Sequence, residues 1–157
     1  MRLYFDDFAP EQTYELGERT LSRDQIIAFA TEFDPQPFHL NDAAAADNIY
    51  GSLIASGWHT GSTLMRLMAD GLLVDSTSLG SPGLEELRWL KPVYPGDTVR
   101  GRCVIEQTRA SRSKPDRGVV LIRAELRNQH DDLVLMMRSW GMFGRRATEV
   151  IDEARAT

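Results

Sequence analysis

Residues 55–74, ASGWHTGSTLMRLMADGLLV, and the segments after residue 84 follow two different periods. In the first stretch Trp58, Leu64, Met65, Leu67, Met68, Leu72 and Leu73 cover most of a helix circumference. A helix apolar nearly all round is expected to be buried. Ser56 is placed to cap its start, and its charged pair Arg66 and Asp70 stands four apart, within reach of each other. From residue 84 the apolar residues alternate. LEELRWLKPV (84–93), DTVRGRCVIEQT (97–108), GVVLIRAELRN (118–128) and LVLMMRSWGMFG (133–144) read as strands. Pro-Gly-Asp at 95–97, a basic polar stretch at 109–117 and NQHDD at 128–132 separate them. Such short links favour an antiparallel meander. One long buried helix with four antiparallel strands predicts an α+β domain whose sheet curls around the helix. The sheet keeps an open edge, and pairing two copies through it is a simple way to protect it.

Upstream, residues 13–22 read as a short strand leading into a helix. Ser22 and Gln25 have capping-box spacing, and Ile26, Ile27, Ala30 and Phe33 form an apolar stripe. That helix should end at Phe33–Asp34, and a short one should follow at about 42–48, capped by Asn41. Between them lies EFDPQPFHLN, residues 32–41, with Asp34 and His39 five positions apart. On a helix that spacing overshoots a full circle by about 140°, and on a strand it sends the two side chains to opposite faces. Pro35 and Pro37 exclude both regular structures by removing N–H donors and restricting their neighbours. A stiff irregular turn remains, able to aim both side chains at one target.

Composition narrows the function classes. A chain of 157 residues is one ordinary domain, and 42% apolar with 26% charged residues argues against disorder. A net charge of −5 argues against nucleic acid as partner, since phosphate binding needs clustered cations. Cys103, the single cysteine, sits in an alternating apolar run and reads as a buried thiol. The acid-containing start MRLYFDDFAPEQ does not read as a secretory signal, and no apolar run approaches spanning length. The expectation is a cytoplasmic protein with no membrane association. None of the three histidines has metal-ligand spacing, so no metal is expected.

FDPQPFH, then IASGWH, then RWLKPVYPGDTV together resemble the MaoC-like dehydratases, a branch of the hotdog-fold enoyl-CoA hydratases. The resemblance spans roughly residues 14–144 and implies a single hotdog domain over 1–157, with a core at about 14–144 and peripheral termini. The family pattern runs Asp, any residue, Asn-Pro, any residue, His, followed later by a glycine opening the central helix, usually after a histidine. Asp34, Pro37, His39 and Gly57 occupy matching places here. Gln36 stands where the family has Asn, and Ser56 where it has His.

The resemblance implies reversible hydration of a trans-2-enoyl-CoA to a 3-hydroxyacyl-CoA of R configuration, as in fatty acid metabolism. CoA is then part of the substrate and no separate cofactor is needed. The partners it implies are the acyl-CoA and a second copy of the chain, as a homodimer or a dimer of dimers. The residue types suit the chemistry. A histidine and a carboxylate can hold one water and share its proton transfers, which leaves open which of Asp34 and His39 does which. Gly57 at a helix start would offer an N–H and the positive end of the helix to the thioester oxygen. Substrate contacts are assigned to Gln36, Pro37, Ser56, Trp58 and His59, and the CoA phosphates to Arg109, Arg112, Lys114 and Arg117.

Blander readings exist for each residue. Alone, Asp34 is a helix-ending turn residue and His39 a surface or core histidine. Ser56 is a cap, with no hydrolase elbow around it. His59, Trp58, Met65 and Met68 are core, the basic stretch is a solvated loop, and His130 is a turn residue. Two alternatives stand beside the hydratase. A hotdog acyl-CoA thioesterase would use Asp70 on the central helix and leaves the Asp34–His39 turn unexplained. A non-catalytic acyl-thioester binder or structural subunit would not need Asp34 and His39 within one water of each other beside Gly57.

Overall fold

The computed structural model describes residues 1–147, so residues 148–157 of the expected 1–157 domain lie outside the described residues. The elements run β1 (Thr13–Thr20), α1 (Arg23–Phe33), α2 (Asp42–Ala46), α3 (Gly57–Met68), β2 (Ser78–Gly80), β3 (Leu84–Trp89), β4 (Thr98–Ala110), β5 (Arg117–Arg127) and β6 (Leu133–Gly144). Two of the three N-caps read from the sequence open α1 and α2. Ser22 Oγ accepts from the Gln25 N–H at 3.2 Å while Gln25 Oε1 accepts from the Ser22 N–H at 3.1 Å. Asn41 Oδ1 accepts from the Ala44 N–H at 2.8 Å, opening α2. These bonds satisfy donors that a helix start leaves free.

The sheet is antiparallel, in the order β1-β4-β5-β6-β2, with β3 also on the far side of β6. β2 and β3 follow each other along one edge, Ser78 opposite Phe143 and Trp89 opposite Leu135. The expected meander therefore holds only for β4, β5 and β6. β3 does not pair with β4 despite the short link, because the Pro-Gly-Asp turn is not a hairpin. Its backbone is engaged by β1's end instead: Gly96 N–H donates to Leu21 O at 2.8 Å and Leu21 N–H to Asp97 O at 3.0 Å. Residues 90–97 consequently cross from one side of the sheet to the other. On the way Val93 O accepts from the Ala55 N–H at 2.8 Å, tying the crossing to the approach to α3.

Inward residues of β4, β5 and β6, among them Ile105, Ile122, Leu126 and Val134, close over Leu64, Leu67 and Met68 of α3. Close contact at the end of that helix needs glycine. A Cβ on Gly71 would stand 2.9 Å from Leu16 Cα of β1. Two expectations need correction. The helix is not buried all round: Trp58 is 59% and Met65 46% exposed, so α3 lies in the mouth of a half-open sheet with one side facing out. Nor is the N-terminus peripheral, since Phe8 is buried and its ring packs 4.6 Å from that of Phe143. Cys103 is fully buried, and burial pushes its thiol up to about 12, as an inert core residue requires.

Candidate active site

α1 ends where Pro35 forbids another turn, and Asp34 caps it at φ −152°, ψ 68°. Gln36 N–H then donates to Asp34 O at 2.8 Å, and a 3-10 turn over Pro37–His39 closes with Leu40 N–H on Pro37 O at 3.0 Å. This reverses the chain so that His39 Nε2 comes 3.3 Å from Asp34 Oδ2. His39 is buried, and its Nδ1 lies 2.8 Å from Ile54 O. A carbonyl only accepts, so Nδ1 carries a proton and Nε2 is the nitrogen turned toward Asp34 and the site.

Asp34 is anchored on both oxygens. Gln36 Nε2 donates to Oδ1 and Ser56 Oγ to Oδ2, each at 2.7 Å. The Ser56 hydroxyl foremost, then the Gln36 amide and the charge of His39, hold the Asp34 carboxyl below the ordinary carboxylate range against the opposing effect of burial. Ser56 also caps α3, its Oγ accepting from the Trp58 N–H at 3.3 Å.

Asp34, Gln36, His39, Gly57, Trp58 and Thr60 line one cavity of about 380 Å³ together with Phe38, Tyr50, Ile54, Trp89 and residues 90–93 of the crossing segment. The cavity is more apolar than polar in its walls, with a few polar side chains among them, Asp34 and His39 included, the arrangement expected of a small-molecule site. Among the described residues the Gly57 N–H has no acceptor, and it stands at the positive end of the twelve-residue α3. Glycine is required there by Trp89, whose Nε1 donates to Gly57 O at 2.7 Å and whose ring would lie 2.8 Å from a Cβ.

The remaining residues named from sequence fall elsewhere. Ser56 is wholly buried and Pro37 opens the 3-10 turn; neither lines the cavity. His59 is a correction. Two residues along a helix rotate by about 200°, so His59 faces away from Gly57. It lines a second cleft with Phe29, Ser62, Thr63 and Arg66. The basic set is a second correction. Arg109 is the last residue but one of β4, Arg117 opens β5, and Arg112 and Lys114 lie in the turn between. That turn is at the opposite end of the sheet from the cavity. Trp89, on the cavity wall, pairs near the start of β6, whereas Gly118 pairs with Phe143 near its end. Leu135 and Phe143 are eight residues apart along β6, about 26 Å of strand. Asp70, the thioesterase candidate, is exposed and bonded to Arg66 at 2.6 Å, outside the cavity. Among the described residues no group of three His, Cys, Asp or Glu could hold a metal ion.

Sequence reasoning missed Trp89, Tyr50, Thr60 and Lys91 as cavity residues. Thr60 follows from Gly57 by one helical turn. Trp89 and Lys91 lie in RWLKPV, which carried part of the family resemblance, but only the crossing of residues 90–97 puts them at the site.

The family model described as MaoC like domain matches residues 7–125. A MaoC-like dehydratase from Rhodospirillum rubrum of known crystal structure is 34% identical, with a TM-score of 0.86 over 93% of this chain and 99% of its own. A Mycobacterium tuberculosis protein with a double hotdogfold is 19% identical, TM-score 0.80, over 92% of this chain and 44% of its own. The fold described above is thus the hotdog fold. A mesaconyl-CoA hydratase from Cereibacter sphaeroides is 35% identical over 75 residues, 48% of this chain and 22% of that enzyme, so the chain spans only about a fifth of it.

Proposed function

The chain belongs to the MaoC-like dehydratase family, and on that premise we propose that it is a hydratase/dehydratase of acyl-CoA thioesters, adding water reversibly to a trans-2-enoyl-CoA. The observation that carries this reading is His39 Nε2 at 3.3 Å from Asp34 Oδ2, in the cavity that also holds the Gly57 N–H. Membership supports the substrate class, as does likeness over part of the chain to a hydratase named for a CoA thioester.

Three demands have to be met. A water loses a proton, its oxygen bonds to C3, and C2 receives a proton while charge on the thioester oxygen is stabilised. Neutral His39 takes the water proton at Nε2, with Nδ1 held by Ile54 O. Asp34 orients the water and favours the imidazolium that results. As the hydroxide bonds to C3, the C2–C3 double bond shifts toward an enolate whose oxygen accepts from the Gly57 N–H. The enolate collapses as C2 takes the proton from His39 Nε2. The net change is one water added, and His39 returns to its neutral form. The R configuration follows if water and proton reach the face of the alkene turned toward the Asp34–His39 turn.

The unpaired edge formed by β2 and β3, with Leu79 and Leu84 exposed on it, supports assembly as a homodimer. The activity is tested by following loss of the conjugated enoyl-thioester absorbance of crotonyl-CoA, then of longer and dicarboxylic analogues. Hydration that disappears in Asp34→Asn and His39→Ala with folding intact is the expected result. Full activity in either variant sinks the mechanism.

A further inference from the structure

Gln36 and Ser56 are the two positions at which the chain departs from the pattern it resembles, and both donate to one carboxylate. Gln36 Nε2 reaches Asp34 Oδ1 and Ser56 Oγ reaches Oδ2, each at 2.7 Å. We propose that Ser56 and Gln36 are paired positioning residues which lock the Asp34 carboxylate against His39, leaving His39 Nε2 as the group that exchanges protons with the substrate water. The proposal rests on the hydratase reading above and divides the labour within it.

The hydroxyl of Ser56 has a single proton to give. Its other bond is with the Trp58 N–H, which is itself a donor, so the hydroxyl proton goes to Asp34. Ser56 is wholly buried, and water cannot replace it. One hydroxyl therefore links the first turn of α3 to the carboxylate and passes on the polarity of the helix start. On the other oxygen the Gln36 side chain must present its NH₂, because its carbonyl would face a carboxylate oxygen. Its arm is one methylene longer than that of the family's Asn, and it folds back along its own turn to Asp34.

With a fixed donor on each oxygen, the carboxylate cannot rotate without breaking two charge-assisted bonds. Those donors also stabilise the ionised form, so Asp34 is a poor proton acceptor near neutral pH. His39 differs. Its Nδ1 is committed to Ile54 O, and Nε2 alone is left to exchange a proton. In this arrangement Asp34 sets direction and charge while His39 moves protons.

The test uses the full chain with Ser56→Ala, Ser56→Thr and Gln36→Leu. Two readouts are taken: the titration of the Asp34 carboxyl carbon by NMR without substrate, and kcat and KM on crotonyl-CoA. Ser56→Ala removes a single oxygen from a packed site and should fold; circular dichroism checks this. The Asp34 midpoint should rise in Ser56→Ala, rise less in Gln36→Leu, and return toward the wild-type value in Ser56→Thr. In Ser56→Ala kcat should fall by about 10²-fold with KM little changed, as for a misplaced catalytic group. Loss of the helix cap alone would lower the melting temperature and leave the midpoint unmoved. An unmoved midpoint in Ser56→Ala overturns the positioning role whatever the activity. A raised midpoint in Ser56→Ala, with no hydration of crotonyl-CoA or of its longer and dicarboxylic analogues by the wild type, overturns the hydratase reading and leaves the lock on Asp34 standing.

Discussion

Two histidines sit on opposite sides of the first turns of α3, His39 buried and His59 half-buried, and their ring nitrogens meet different surroundings. His39 has both ring nitrogens engaged, Nδ1 with Ile54 O and Nε2 facing Asp34. His59 is half-buried and stacks on Phe29, ring centroids 4.7 Å apart and planes 7° from parallel. Among the described residues its buried Nδ1 has no hydrogen-bond partner. Burial foremost, and the positive charge of Arg19, push its pKa below the ordinary value. One imidazole is oriented by a carbonyl and faced by a carboxylate. The other is packed as an aromatic ring. What separates a catalytic candidate from a core histidine is therefore what its nitrogens meet.

The sharpest way to break this contrast is to remove each ring in turn. His39→Ala should lower kcat/KM for enoyl-CoA hydration by about 10²–10⁴-fold, the range for loss of a general acid–base group. His59→Ala should leave kcat/KM within a few-fold, its cost appearing in melting temperature as a truncated aromatic contact. Equal loss of activity in both, with both variants folded, would mean that the second cleft belongs to the active site.

Gly57 offers a test on the cavity side of the same helix. Gly57→Ala places a methyl 2.8 Å from the Trp89 indole, so either the ring leaves its bond to Gly57 O or the helix start moves. Either displaces the N–H meant for the thioester oxygen, and kcat should fall by about 10²-fold, near the cost of losing one such donor. Gly61→Ala is the control on that helix, since a Cβ there meets no atom within 4 Å. It should leave kcat unchanged in the same assay. Equal loss in both variants would point to damage of the helix as a whole.

Local signals carried most of what could be read in advance. The Ser22–Gln25 box, the Asn41 cap and the stop at Pro35 each depend on residues within a few positions, and each formed. The Asp34–His39 contact was legible for the same reason, because two prolines in six residues leave few turns. What escaped was decided at a distance. β2 is three residues long and exists only because β6 continues past it. The partner of β3 depends on where residues 90–97 cross, and no period within 84–97 encodes that. The outward side of α3 could not be separated from its core side, because Trp58 and Met65 are as apolar as Leu64. His59 was misplaced through proximity to Gly57 in sequence, although the helical angle between them already put it on the other side.

The smallest effect concerns pH and stability at His59. Its neighbours in the second cleft include Arg19, Gln25, Glu32, Ser62, Thr63 and Arg66, and Arg66 is bonded to Asp70. Of these Arg19 opposes a second positive charge, as burial does. In the unfolded chain the ring titrates near its ordinary 6.5, and in the folded chain below that. Between the two values the unfolded state binds more protons, so lowering the pH through this window favours unfolding. The stability conferred by a neutral His59 is complete above pH 6.5 and declines as the pH falls beneath it. His59→Phe keeps a ring against Phe29 and removes the titration. The melting temperature of the wild type should therefore fall more steeply than that of the variant as the pH drops from about 7.5 to about 5.5. Parallel curves would mean that His59 charges as readily in the fold as in the unfolded chain, and the contrast with His39 would then rest on geometry alone.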